Sequence, residues 1–152
     1  MKKIFILAAL FILMSFSVTH AENISAKLFF NGKVVKQFEN DEFEITFGEF
    51  FKSTCKLRLK NNLEYDFKPR VRIIFSANWG GKISEEKKNL PTIAAGKSID
   101  FNIEMKNFPL AGRKRTSAWL QIWLEDEKKV FSENYFCVRF NFSDYLIDDR
   151  EE

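Results

Sequence analysis

Residues 43–59 read Phe43-Glu44-Ile45-Thr46-Phe47-Gly48-Glu49-Phe50-Phe51-Lys52-Ser53-Thr54-Cys55-Lys56-Leu57-Arg58-Leu59, and their alternation decides the fold. Phe43, Ile45, Phe47, Phe51, Cys55, Leu57 and Leu59 occupy odd positions, whereas Glu44, Thr46, Lys56, Arg58 and the following Lys60 occupy even ones. Side chains of a strand point alternately to opposite faces, so a period of two marks half-buried β-structure, which a helix would scramble. The run is too long for one ordinary strand. Gly48 is therefore read as a bulge or corner between two strands, the second of which is central and carries a buried Cys55.

The same pattern recurs on both sides. Asn31-Gly32 between two apolar runs predicts a two-residue hairpin turn, because both central residues must take positive φ; Phe29 then faces Val34, and Leu28 faces Val35. Pro69 opens an alternating run with Val71, Ile73 and Phe75 on one face and Arg70, Arg72 and Ile74 on the other, closed by Trp79-Gly80-Gly81. Ser84 to Asn89 is charged and reads as a solvated connection. Ile99, Phe101, Ile103 and Met105 alternate with polar residues, and Phe108 to Gly112 with Arg113-Lys114-Arg115 reads as a loop. Ala118, Leu120, Ile122 and Leu124 form the inner face of the next strand, opposite Trp119, Gln121, Trp123 and Glu125. Phe131 to Phe142 is the last strand, with Phe136, Val138, Phe140 and Phe142 as its buried set. Seven to nine strands joined by short polar connections predict an all-β, two-sheet antiparallel β-sandwich over residues 22–143, followed by an acidic tail at 144–152.

The N-terminus has the form of an export signal. Lys2 and Lys3 precede an apolar stretch from Ile4 to Met14 that is too short to span a bilayer, and Thr19-His20-Ala21 supplies small residues for cleavage after Ala21. The expected locale is secreted or periplasmic, with no transmembrane segment once residues 1–21 are removed. Without Lys2 and Lys3, 22 of the 24 basic residues stand against 21 acidic ones, for a formal charge of +1. That balance does not indicate a nucleic-acid binder. His20, the only histidine, leaves with the leader, which removes imidazole as base or metal ligand.

Two cysteines in an exported chain are most simply one disulfide, and joining Cys55 to Cys137 across so long a loop would stabilise by about 4 kcal/mol in the chain-entropy picture. Register argues the other way. If Phe136, Val138 and Phe140 face inward, Cys137 faces outward unless a bulge intervenes, and the alternative is two separate buried thiols.

The turn Ala95-Gly96-Lys97-Ser98 ahead of the Ile99 to Met105 strand, together with one cysteine on an early strand and one on a late strand, resembles the bacterial secreted immunoglobulin-like or fibronectin-type-III-like sandwiches. The resemblance implies architecture and leaves function open, since such sandwiches serve many tasks. Gly96-Lys97-Ser98 also mimics the end of a phosphate-binding loop. Position 91 is proline where that loop needs glycine, and a strand rather than a helix follows, so nucleotide binding is excluded there.

Two constellations are candidate binding sites. Trp119, Gln121 and Trp123 share one face over roughly 13 Å and would either stack sugar rings or lie covered as ordinary core. Lys56, Arg58, Lys60, Arg70, Arg72 and the loop Arg113, Lys114 and Arg115 would either form one patch for an anionic polymer or pair with acidic neighbours. No nucleophile elbow, paired-carboxylate spacing, metal-ligand spacing or cofactor motif is present, so no catalytic residue is assigned. The expected function is non-enzymatic binding of a protein or cell-envelope component. Glycan binding or adhesion through the tryptophan face is the alternative, and a subunit that exchanges an edge strand is a third.

Overall fold

The computed structural model describes residues 23–77, 82–108, 117–125 and 134–144. The leader with its cleavage point, Trp79 to Gly81, the loop with Arg113, Lys114 and Arg115, and residues 145–152 of the acidic tail lie outside them. The elements are β1 (Ile24–Phe30), β2 (Lys33–Val35), β3 (Asn40–Ile45), α1 (Phe47–Lys52), β4 (Cys55–Asn61), β5 (Arg70–Ala77), β6 (Lys82–Asn89), β7 (Ser98–Ile103), a 3-10 turn (Met105–Asn107), β8 (Ser117–Glu125) and β9 (Asn134–Phe142).

They form two sheets, a four-stranded one in the order β2-β1-β4-β7 and a five-stranded one in the order β3-β9-β8-β5-β6. The all-β two-sheet sandwich read from the sequence is the observed architecture. Its pairs are antiparallel except β3 with β9, which run parallel. The two inner faces share one core, in which Leu28, Leu57 and Leu59 of the smaller sheet meet Val71, Phe75, Leu120, Ile122, Val138 and Phe140 of the larger. Such interdigitation of two inner faces is the ordinary source of sandwich stability.

Local chemistry explains the details. Asn31 at φ 47° and Gly32 at φ 79° make the β1–β2 turn, and the register pairs Leu28 with Val35 and Phe29 with Val34, as the sequence requires. Residues 47–52 are not a strand corner. They form α1, because Thr46 accepts the Glu49 N–H at 3.2 Å while the Glu49 carboxylate accepts the Thr46 N–H at 2.9 Å. These bonds to Thr46 hold the Glu49 carboxyl below its usual range. α1 drops Phe50 into the core against Phe140, with ring centroids 5.0 Å apart.

The charged stretch up to Asn89 is not a connection but the strand β6, which among the described residues pairs only with β5 at the sheet's edge. Two strands flank β8 on one side of the larger sheet, and on that side the smaller sheet has β7 alone beyond β4. β6 packs Ile83 against the core and carries inward charge further along, with Lys88 and Glu86 paired at 3.1 Å and Lys88 lying over Phe101 of β7 at 5.7 Å. Inward charge of this kind blunts a sheet edge against unwanted pairing.

The expected disulfide is absent: Cys55 and Cys137 are both free. Cys55 points into the core from β4, whereas Cys137 alternates with the inward Phe136, Val138 and Phe140 and so faces away from it. The strand alternation puts the backbone of β9 between the two sulfurs, and both thiols are buried. Burial alone pushes the Cys55 thiol up to about 12.

Asn61 is a polar side chain with 0% exposure at the end of β4. Its Nδ2 donates to the Tyr65 carbonyl at 2.8 Å and the Ile93 carbonyl at 2.9 Å, and its Oδ1 accepts the Leu63 N–H at 2.9 Å. Its backbone N–H donates to Lys97 O, and its carbonyl accepts from the Gly96 N–H, both at 2.9 Å. The side chain thereby ties the loop after β4 and the loop before β7 to the sandwich, the Asn61 backbone holds the turn at Gly96 and Lys97, and that turn depends on Gly96 at φ 71°.

Candidate functional site

The outer face of the five-stranded sheet carries the tryptophans. Register sets Trp119 opposite Arg139 of β9, and Trp123 opposite Arg72 of β5. Each guanidinium lies over the neighbouring indole, at 5.2 Å for Arg139 on Trp119 and 5.4 Å for Arg72 on Trp123. Carboxylates complete the layer. Glu42 meets Arg139 at 3.3 Å, and Arg72 lies 2.9 Å from Glu125 and 3.9 Å from Glu85. The Lys82 ammonium, hydrogen-bonded to Glu85, holds that carboxyl below its usual range, with Arg72 adding to the effect. Gln121 sits between the two indoles opposite Cys137, which is only 3% exposed although it lies on the outer face. Trp119, Gln121 and Trp123 are all half-buried, so this face is a charge-balanced layer with its rings already stacked.

The outer face of the four-stranded sheet is built differently. Lys56, Arg58 and Lys60 alternate with the core residues of β4, and the register places Lys27 beside Arg58, with Asp100 on its other side. Arg58 makes two parallel hydrogen bonds to Asp100, at 2.7 and 2.9 Å, and Lys56 reaches the same carboxylate at 3.5 Å. The Arg58 hydrogen bond, reinforced by both positive charges, pulls the Asp100 carboxyl down to about 2. Phe29 lies beneath Lys56 and Arg58, 5.5 and 5.6 Å from its centroid, and Val34 beside it is 60% exposed. Lys27 and Lys60 are exposed and have no ion-pair partner among the described residues. Among the described residues four cations thus face one carboxylate, with Ser25, Ser98 and Asn102 as uncharged polar neighbours.

The basic residues grouped in the sequence therefore separate. Lys56, Arg58 and Lys60 lie on one outer face and Arg72 on the other, while Arg70 bonds Asn89 at 3.2 Å on the β5–β6 pair. Lys27, on β1, belongs with the first group and was not in the sequence grouping; its alternation with Ala26 and Leu28 was the available signal.

A third feature is a cleft of about 270 Å³ at one end of the sandwich, between α1 and the 3-10 turn, lined by Phe51, Thr54, Cys55, Ile103 and Met105 among others. Glu104 and Lys106 at its rim pair with each other at 3.5 Å. Among the described residues no cluster of three or more histidine, cysteine, aspartate or glutamate side chains is placed to hold a metal ion. No helix among them is long and apolar enough to cross a membrane.

The chain matches no protein-family profile and no curated protein. Among solved structures it is similar to a β-glucuronidase of Bacteroides uniformis, at 14% identity and a TM-score of 0.43, over 76% of this chain and 13% of that one. A β-glucosidase of Listeria innocua complexed with gluconolactone aligns at 10% identity and a TM-score of 0.34, over 78% of this chain and 16% of that one. A Northeast Structural Genomics Consortium target aligns at 11% identity and a TM-score of 0.41, over 86% and 95%. The chain thus spans about an eighth of the first of these enzymes and about a sixth of the second. Likeness at this level carries no assignment of activity or ligand.

Proposed function

We propose that the chain is an exported, non-catalytic binding domain of the cell envelope whose working surface is the outer face of the four-stranded sheet. One observation carries the reading: the contrast between the two outer faces. On the larger sheet Arg72 and Arg139 are stacked on indoles and matched by Glu42, Glu85 and Glu125. On the smaller sheet Lys27, Lys56, Arg58 and Lys60 face Asp100 alone among the described residues. A concentration of one sign of charge on a regular surface attracts partners of the other sign and speeds their encounter. Sugar stacking on Trp119, Gln121 and Trp123 is the weaker reading, because a guanidinium already lies over each indole.

The test is capture of envelope components by residues 22–152, run beside two double variants, Lys27→Gln with Lys60→Gln and Trp119→Phe with Trp123→Phe. The reading expects a component that is lost with the lysine pair and kept with the tryptophan pair. The reverse outcome would move the working surface to the other sheet. N-terminal sequencing of the protein recovered from its host, beginning at Glu22, checks the export step.

A further inference from the structure

Resting on that reading, we infer that the ligand of this face is an extended linear polyanion of the phosphodiester type, laid along β4. Lys56, Arg58 and Lys60 occur at every second residue of one strand, so their Cα atoms are about 6.8 Å apart and the row is about 13.5 Å long. That pitch is comparable to the repeat of an extended phosphodiester chain, with one negative charge per unit. Lys27 stands beside the middle of the row, about 5 Å away across the β1–β4 pair, where it would bracket the chain from the side.

Asp100 does not cancel the row; it organises it. By holding the Arg58 guanidinium in two hydrogen bonds and Lys56 in an ion pair, it fixes two long side chains against the sheet. Side chains ordered in advance lose less freedom on binding. Lys27 and Lys60 supply the free charge, and Ser25, Ser98 and Asn102 offer hydrogen bonds to phosphate oxygens along both sides. The face is a regular sheet surface, with the four cations in a row along one strand and its neighbour. A flat row of regularly spaced charges suits a chain, whereas a small anion is held best where groups converge from several sides. A lipid surface is disfavoured because the ring of Phe29 is roofed by Lys56 and Arg58 and is not available to insert.

The probe is a fluorescein-labelled abasic oligodeoxynucleotide, a phosphodiester chain without bases, titrated with residues 22–152 and followed by anisotropy. Four cations less one carboxylate give a net of three charges, so log K should fall against log salt with a slope of about −2. That is a loss of about 20-fold between about 50 and 200 mM salt. Lys27→Gln with Lys60→Gln, both exposed and confirmed folded by circular dichroism, should bring the slope to about −0.7 and weaken binding at low salt by tenfold or more. Inorganic phosphate at the same phosphate concentration should not compete. Binding to phosphatidylglycerol vesicles in place of the oligomer, effective competition by free phosphate, or an unchanged slope in the double variant would each overturn the inference. If the lysine pair abolishes capture of the envelope component but the oligomer never binds, the polyanion is wrong and the face stands. If neither result depends on the lysines, both fall.

Discussion

Asn61→Ala removes one side chain and breaks three hydrogen bonds at once, those to Tyr65 O, Ile93 O and the Leu63 N–H. Each bond is worth about 1 kcal/mol net, and a group left buried without a partner costs about as much again or more. The replaced side chain is fully enclosed, so water has no ready route to the stranded groups. The expected loss is therefore about 3–4 kcal/mol, read as a lower urea midpoint with an unchanged slope. On heating it corresponds to a fall in Tm of roughly 12–16 °C for a domain of this size. Asn62→Ala is the matched control. Its Nδ2 donates to Ser25 Oγ at 2.8 Å on an exposed surface, and its loss should stay below about 1 kcal/mol. If Asn61→Ala falls within about 1 kcal/mol of the parent, the two loops are held by something other than this amide, and its role in joining them to β4 is refuted.

Dithiothreitol should leave the urea midpoint unchanged, and Cys55 should react with a thiol reagent only on unfolding, since burial keeps its thiol protonated up to about 12; a midpoint that drops on reduction would show a disulfide. The Asp100 carboxyl titrates at about 2 in the folded chain against an ordinary value near 4, so its cluster with Arg58 and Lys56 stabilises above about pH 4 and that contribution is lost as pH falls through about 2. Asp100→Asn should flatten the denaturation midpoint over that window, and an identical acid profile in the variant would count against the cluster. Trp119→Ala and Trp123→Ala each remove the platform for an arginine and a half-buried ring, for an expected loss of about 1–3 kcal/mol by urea denaturation. Affinity for the abasic oligomer should not move, and loss of that binding in a folded variant would assign the work to the other sheet.

Where one residue's environment is set by its strand neighbours, the sequence was sufficient. The Asn31-Gly32 hairpin and its register, and the inward Leu120, Ile122 and Leu124 against the outward Trp119 and Trp123, follow from turn chemistry and a period of two. α1 was hidden because six residues are too few to display a helical period, and because Phe43, Ile45 and Phe47 continue the odd-numbered row into it. The pair Thr46 and Glu49, three residues apart, was the readable sign of its start. β6 was hidden because Ile83 is its one apolar residue, too few to show an alternation. The grouping of Arg58 with Arg72 failed because β4 and β5, consecutive in the chain, belong to different sheets. The pairing of Asp100 with Arg58, and of Arg139 with Trp119, depends on which distant strands become neighbours, and local patterning does not encode that. For the cysteines the local alternation was right and the pairing expected from export was not.

The parallel partnership of β3 with β9 has a consequence for how the molecule can be assembled. Among the described residues β3 has no neighbour in its sheet except β9, and the Phe47 N–H at the start of α1 is met by the carboxylate of Asp144 at 3.1 Å, 97 residues further on. An early segment therefore waits for a much later one to be synthesised, a wiring that favours slow closure. A premature stop before β9 would strip a central strand and, with the same cut, orphan β3 at the far side of the sheet.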